Sequence, residues 1–389
     1  MIHLGIVGII NFNDWNNPDY PETGGINSVV KNILPHLEAD KIVLYGVTYD
    51  RANLFKEKKV NSRISIFPVV YMSATSKIPK RAWCFLLGWR LGKYLKKHGI
   101  NVVYSHSEEM AFWLSFGGVP YVHHLHTYVN VLEVSGKRVA RLKLFATLWE
   151  KIRTRVIRKS YKSVAVNNDV VTLIANLAGK DRVIAFPNYV DSKQFTYRDS
   201  STLKSNLNLA DNRIALFLGR ISYVKGMELF VDVIEALNRR NHKNDWKGVI
   251  IGSGDYQDLL VNYIHQKNLM DRILFAGSIN DQTVLSQYYS MADVFLITSL
   301  SESVPLTLLE SLACGTPVVS TAVGITRDVL HRSNGFVIED RDPEAFVDLI
   351  EQCHALKAKH SLLPQDSDYS VEFAAGLLNE AFRASANKI

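Results

Sequence analysis

The 389-residue chain has only three cysteines, Cys84, Cys314 and Cys353, scattered and odd in number. They show no metal-ligand spacing and cannot pair into an even disulfide framework, which favours a reducing, cytosolic setting. No run of about 18 apolar residues occurs, so a spanning helix is not expected and the chain reads as soluble or peripheral. The opening MIHLGIVGII has no basic leader and no small-residue cleavage site, and reads as a first buried strand. Glycine and proline are not enriched, no low-complexity tract is visible, and no period of about 20–50 residues repeats. Acid is scarce in one half: residues 1–190 carry 26 Lys and Arg against 13 Asp and Glu, and residues 191–389 carry 19 against 25. A basic half suits nucleic acid, an acidic substrate or an anionic membrane.

What is present is an alternation of apolar strands and amphipathic helices in both halves, with length enough for two ordinary domains. The most informative stretch runs from Ala292 to Ser320, ADVFLITSLSESVPLTLLESLACGTPVVS. Val294 to Ile297 is a continuous apolar run of buried-strand type. Ser299 to Ser303 is a small polar loop, and Pro305 suits the first turn of a helix. Leu306, Leu309, Leu312 and Ala313 recur at helical spacing, Gly315 fits the left-handed position after the last turn, and Pro317 prevents continuation. Glu302 precedes this helix and Glu310 lies within it. Between them the free N–H groups of the helix N-terminus, near Leu306 and Thr307, form a site for an anion such as phosphate. Carboxylates flanking a phosphate site suggest a ligand with both phosphates and hydroxyls.

In this context the E-x7-E spacing of Glu302 and Glu310 resembles the signature of the family 4 retaining glycosyltransferases, which have the GT-B fold. Further segments resemble the same family. Gly219-Arg220 followed by Lys225-Gly226, in GRISYVKG, is similar to its GR-x4-KG motif. Pro187-Asn188-Tyr189-Val190-Asp191 with Phe195 is similar to its PNGVD…F segment, with Tyr189 in place of the usual glycine. Asn334-Gly335-Phe336-Val337 resembles its NG-hydrophobic stretch. The resemblance spans the chain but is most specific over residues 213–340.

The resemblance implies an α/β chain of two Rossmann-like, doubly wound parallel-sheet domains facing a central cleft. These are an acceptor-side domain at 1–190, a donor-binding domain at 191–365, and a C-terminal helix at 366–389 crossing back to the first. It implies a retaining, metal-independent hexosyltransferase using a UDP- or GDP-sugar as substrate, with no cofactor. Arg220 and Lys225 would hold the diphosphate, whose charge grows as the glycosidic bond breaks. Backbone N–H groups near Leu306 and Thr307 would assist. Glu310 would bind the ribose hydroxyls, and Glu302 with Ser303 the sugar. The Gly219 turn, the Gly252-Ser253-Gly254 turn and Ser278-Ile279 would seat the nucleotide. The pair Gly24-Gly25 would let the backbone approach the donor phosphate, in the absence of any GxGxxG. The strand Pro120 to Leu125 runs into His123, His124 and His126, of which His126 would face the donor sugar. Alternating strand geometry puts His124 and His126 on one face. No third ligand of obvious spacing accompanies them, so no metal is expected. Asp340-Arg341-Asp342 and Asp366-Ser367-Asp368 fall late, in loop-like sequence, and read as chance D-x-D strings.

Two basic segments, 77–97 and 137–162, mix aromatic and aliphatic residues with seven and ten Lys and Arg. They suit an anionic membrane surface rather than nucleic acid, since no nucleic-acid-binding module is present. A glycan or lipid-linked glycan acceptor at the inner face of a bacterial membrane, in polysaccharide biosynthesis, is the corresponding expectation. A GT-B-fold nucleotide-sugar epimerase and a non-catalytic nucleotide-binding membrane scaffold are the alternatives.

Overall fold

The computed structural model describes residues 1–12, 25–73, 80–126, 143–186, 189–240, 245–302, 304–364 and 369–387. The chain divides into two compact units, Met1–Pro187 with Val371–Ile389, and Asn188–Ser370.

Among the described residues, the first unit is built on an eight-stranded sheet in the order β3-β4-β2-β1-β5-β6-β7-β8. Its strands are β1 (His3–Asn11), β2 (Lys41–Thr48), β3 (Lys58–Lys59), β4 (Ile64–Tyr71), β5 (Val102–Ser105), β6 (Tyr121–Leu125), β7 (Lys162–Ala165) and β8 (Val183–Ala185). All pair in parallel except the short edge strand β3. The sheet order reverses at β1, so β1 and β5 part above their C-terminal ends, the position where open α/β sheets bind ligands. β1, β2 and β5 are apolar on both faces because helices cover both. The final helix, Val371–Ala386, packs on β5, β6 and the first helix, Gly25–Ile33.

The second unit has a six-stranded parallel sheet among its described residues, ordered β11-β10-β9-β12-β13-β14. These strands are β9 (Arg213–Leu218), β10 (Trp246–Ile251), β11 (Ile273–Gly277), β12 (Val294–Ile297), β13 (Val318–Thr321) and β14 (Gly335–Ile338). Here the order reverses between β9 and β12. Helices Met227–Arg240 and Pro343–Cys353 close one face, with Phe230, Ile234, Phe346 and Ile350 fully buried. Helices Gln282–Met291 and Leu306–Ala313 close the other, with Tyr289, Leu308, Leu309 and Leu312 buried.

One local expectation changes. The helix read over Arg81 to His98 is broken: Lys80–Leu87 and Leu91–Lys97 are separated by a 3-10 turn at Gly88–Arg90. Gly88 is a weak helix former, and a Cβ there would lie 2.8 Å from the Trp113 ring. Tyr189, in place of the glycine of the PNGVD segment, is buried, and Pro187 and Asn188 before it lie outside the described residues. Among the described residues, no helix is long and apolar enough to cross a membrane.

Candidate active site

The loops that follow β9, β10 and β11 are laced to one another by their backbones. The Gly219 N–H donates to the Ile251 carbonyl at 3.0 Å, the Ile221 N–H to Ser253 at 3.0 Å, and the Gly252 N–H to Gly277 at 2.8 Å. Gly252 has φ +133°, and a Cβ there would collide with the Gly219 carbonyl oxygen. Glycine is therefore the residue that allows these two loops to touch. Gly254 lies next to the Ile221 carbonyl in the same floor. Ser278, after β11, donates its hydroxyl to Ser253 Oγ at 3.0 Å, and Ile279 beside it is half-buried.

Arg220 follows Gly219 and is exposed, with no ion pair to any described residue. The chain then makes a 3-10 turn, Tyr223–Lys225, closed by Gly226 in the left-handed region at φ +61°. This turn is fastened to the loop after β12. The Leu300 N–H donates to the Val224 carbonyl at 2.8 Å, and the Thr298 hydroxyl to the Lys225 carbonyl at 3.0 Å. A Cβ at Gly226 would collide with the Thr298 carbonyl. The Lys225 ammonium and the Glu302 carboxylate, 77 positions apart, form an ion pair, and the Ser299 hydroxyl donates to the same Glu302 oxygen at 2.9 Å. Behind them the Arg341 guanidinium donates to the Thr298 and Ser299 carbonyls at 2.9 and 3.1 Å.

The helix Leu306–Ala313 begins after Pro305 with no side-chain cap. Its first N–H groups, at Leu306 and Thr307, are half-buried positions carrying the positive end of the helix dipole. Glu310, on the second turn, is only partly exposed, and burial pushes its carboxyl up from an ordinary 4.5 to about 7. The Tyr289 hydroxyl donates to Glu310 Oε2 at 2.7 Å and counters part of that shift. Ser303, expected to hold sugar, lies outside the described residues.

In the first unit, Gly25 opens the helix Gly25–Ile33, and Gly24 lies outside the described residues. His126 follows β6 and stacks on His124, with ring centroids 4.1 Å apart and planes 14° from parallel. His106, from the end of β5, joins them, sharing a 2.8 Å hydrogen bond between its Nδ1 and His126 Nε2. His124 Nδ1 bonds the Tyr104 hydroxyl at 2.6 Å. Burial holds all three imidazoles neutral, with His126 pushed down to about 3 and the other two well below their usual range. His106 supplies the third partner that sequence spacing could not: the β5–β6 register sets Ser105 opposite His123, and so His106 beside His124. The ligand atoms of His106, His124 and His126 lie within 4.8 Å of one another. However, the rings stack at 14° to 36°, so their in-plane lone pairs run side by side rather than converging on one ion. Two of those nitrogens are already committed to each other.

The model of Glycosyltransferase Family 4 matches residues 23–194, and that of Glycosyl transferases group 1 matches residues 199–361. The chain belongs to the family 4-type GT-B glycosyltransferases. It is 30% identical over 247 residues to a D-inositol 3-phosphate glycosyltransferase of Paenarthrobacter aurescens, a match covering 61% of this chain and 59% of that one. The chain spans about three fifths of the length of the curated relatives it matches. Sucrose-phosphate synthase from Thermosynechococcus elongatus shares the fold with a TM-score of 0.73 at 18% identity, over 100% of this chain and 97% of that one. Anabaena HepE in complex with UDP-glucose does so with a TM-score of 0.68 at 16% identity, over 100% of both chains.

Within the second unit, Lys225 and Glu302 are in direct contact, and Gly219, Gly252, Gly254 and Ser278 share one laced floor. Glu310, Leu306 and Thr307 sit on one helix. Three contributors escaped the sequence reading. Arg341, in a string read as chance, fastens the loop that carries Glu302. Tyr289 reaches Glu310 from a helix 21 positions earlier. His106 depends on strand register, and its only sequence signal was a polar residue directly after an apolar strand.

Proposed function

We propose that this chain transfers a hexose or N-acetylhexosamine from a UDP- or GDP-sugar to a hydroxyl of a glycan or lipid-linked glycan, with retention and without a metal. The observation that carries this reading is the arrangement around β9 and β12: an exposed Arg220, a Lys225–Glu302 pair, a helix N-terminus without a side-chain cap and the partly buried Glu310, all within one unit. Cations and N–H dipoles suit a diphosphate, and a partly buried carboxylate suits vicinal hydroxyls. Anabaena HepE, with the same fold, is known in complex with UDP-glucose.

Arg220 and Lys225, with the N–H groups at Leu306 and Thr307, stabilise the charge that grows on the leaving diphosphate. Glu302 and Ser303 hold the sugar, His126 meets it, and Glu310 takes the ribose. Gly24-Gly25 allow close approach of backbone to phosphate, and Ser278-Ile279 border the base. The acceptor hydroxyl adds to the anomeric carbon on the face from which the diphosphate leaves, and the departing phosphate oxygen takes its proton. The donor-binding domain is 191–365. The acceptor-side domain is 1–190, completed by 366–389.

The acceptor is placed on the cytoplasmic face of a bacterial membrane, in surface-polysaccharide assembly. Exposed Leu86, Trp89, Phe116 and Leu148 come from helices that pack side by side, Lys80–Leu87, Glu108–Leu114 and Lys143–Lys159, or from the turns that follow them. Of the basic residues in the two segments, Arg90 lies over Trp89 and Arg155 over Phe116. Apolar tips among cations are the composition of a headgroup-binding face.

The test is a transfer assay with UDP-glucose, UDP-N-acetylglucosamine and GDP-mannose, with EDTA, using lipid-linked glycans as acceptors. Nucleotide release with an α-configured product, read by proton NMR, supports the proposal. A free epimerised sugar formed without acceptor contradicts it.

A further inference from the structure

Tyr289 is fully buried near the end of the helix Gln282–Met291. Its ring meets Phe195 and Phe295 edge-on, with centroids 6.2 and 5.5 Å away. Its carbonyl accepts from the Thr316 hydroxyl at 2.5 Å and from the Lys357 ammonium at 3.4 Å. A tyrosine held at ring and backbone offers its hydroxyl in one place, and that place is Glu310 Oε2, at 2.7 Å. A carboxylate has two oxygens, this contact occupies one, and Oε1, with no hydrogen bond to a described residue, is the one to accept from a ligand.

We propose that Tyr289 is a positioning residue for the nucleotide, holding the Glu310 carboxylate ionised and turned so that Oε1 takes the vicinal hydroxyls of the donor ribose. The proposal rests on the reading of Glu310 as the ribose ligand and adds the group that makes it competent. Burial alone favours the protonated acid, which would meet a ribose with a proton where an acceptor is needed. Each hydroxyl donating to the carboxylate, from tyrosine or ribose, favours the ionised form. Donor binding is therefore coupled to loss of a proton from Glu310. Tyr289 supplies the neighbouring hydroxyl from its helix. Cys314, directly after the helix of Glu310, Lys357, which reaches Thr316, and Arg198 and Asp293, whose charges act on Cys314 and Lys357, are the other ionisable groups of this packing among the described residues. Strands β12 and β13 contribute no titratable side chain.

The experiment is calorimetric titration of the full chain with UDP-glucose, UDP-N-acetylglucosamine and GDP-mannose from pH 5.5 to 9. Nucleotide sugars are used because their diphosphate diester does not itself titrate in this range. In the wild type, affinity for the bound donor should fall about tenfold per pH unit below roughly pH 7. Tyr289→Phe keeps the ring packing and removes only the hydroxyl. It should bind within about threefold of wild type at pH 9, with the midpoint of the profile raised by about one unit and affinity near pH 7 correspondingly about tenfold lower. A Tyr289→Phe profile superimposed on the wild type, or weaker by one constant factor at every pH, overturns the proposal. Glu310→Gln separates this failure from that of the underlying reading. It should bind weakly with a flat profile, whereas wild-type affinity in Glu310→Gln would remove Glu310 from the ribose site altogether.

Discussion

Glu310 shows what its proposed role in binding costs at the scale of one residue. Its carboxyl is held at about 7, above an ordinary 4.5, so the folded chain binds that proton more tightly than the unfolded one. The stability linked to this group is fully present below about pH 4.5 and is lost as pH rises through about 7. Glu310→Gln, with no charge to desolvate, should therefore match the wild type in thermal stability near pH 5 and exceed it at pH 8 without nucleotide, by on the order of 2 kcal/mol. Equal melting temperatures at pH 8 would show that the carboxylate is solvated in the folded chain. Arg220 is the opposite case: exposed and without an ion pair among described residues, it does little for the fold. Arg220→Ala should leave the melting temperature nearly unchanged and lower kcat by about 10²–10³, corresponding to roughly 2.7–4 kcal/mol of transition-state stabilisation. Steady-state kinetics beside a thermal melt check both halves.

Among the elements, the site is a set of loops held by backbone contacts. Gly252→Ala must push the loop after β10 off the Gly219 carbonyl, at a strained φ. It should destabilise the chain by about 2 kcal/mol or more and weaken donor binding, as denaturant melts and calorimetry would show. Arg341→Ala should loosen the Thr298–Ser299 turn and raise KM with little change in global stability, because it removes two hydrogen bonds to one loop. Much of this level was legible in the chain itself. The apolar run Val294 to Ile297 is β12, and Pro305 directly precedes the helix that carries Glu310. Spacing within one strand–loop–helix unit is local, so sequence carries it. Contacts between units of that kind are not local. The Lys225–Glu302 pair follows from β9 lying next to β12, His106 from the β5–β6 register, and Tyr289 from helix packing. Nothing in the residues themselves ranks those neighbours above others. The break at Gly88 likewise depends on Trp113, which only packing brings there.

For the whole molecule, charge is divided between the halves, with 26 Lys and Arg against 13 Asp and Glu in residues 1–190 and an acidic excess in residues 191–389. With Leu86, Trp89, Phe116 and Leu148 exposed among the cations, flotation with liposomes should require anionic lipid and weaken as salt rises, since each cation near the surface adds about 1 kcal/mol. Trp89→Ala with Phe116→Ala should reduce flotation further at constant charge. Flotation indifferent to lipid charge and salt would remove the membrane from the account. The central claim, that this family 4-type chain holds a nucleoside diphosphate sugar on Arg220, Lys225 and Glu310, is tested most directly by a thermal-shift titration with UDP, GDP and ADP and their sugar conjugates in EDTA. One nucleotide at about 100 times its dissociation constant should add roughly 2.7 kcal/mol of stability in the wild type. Arg220→Ala should need a markedly higher concentration for the same shift. No shift with any nucleotide, or an unchanged titration in Arg220→Ala, would contradict it.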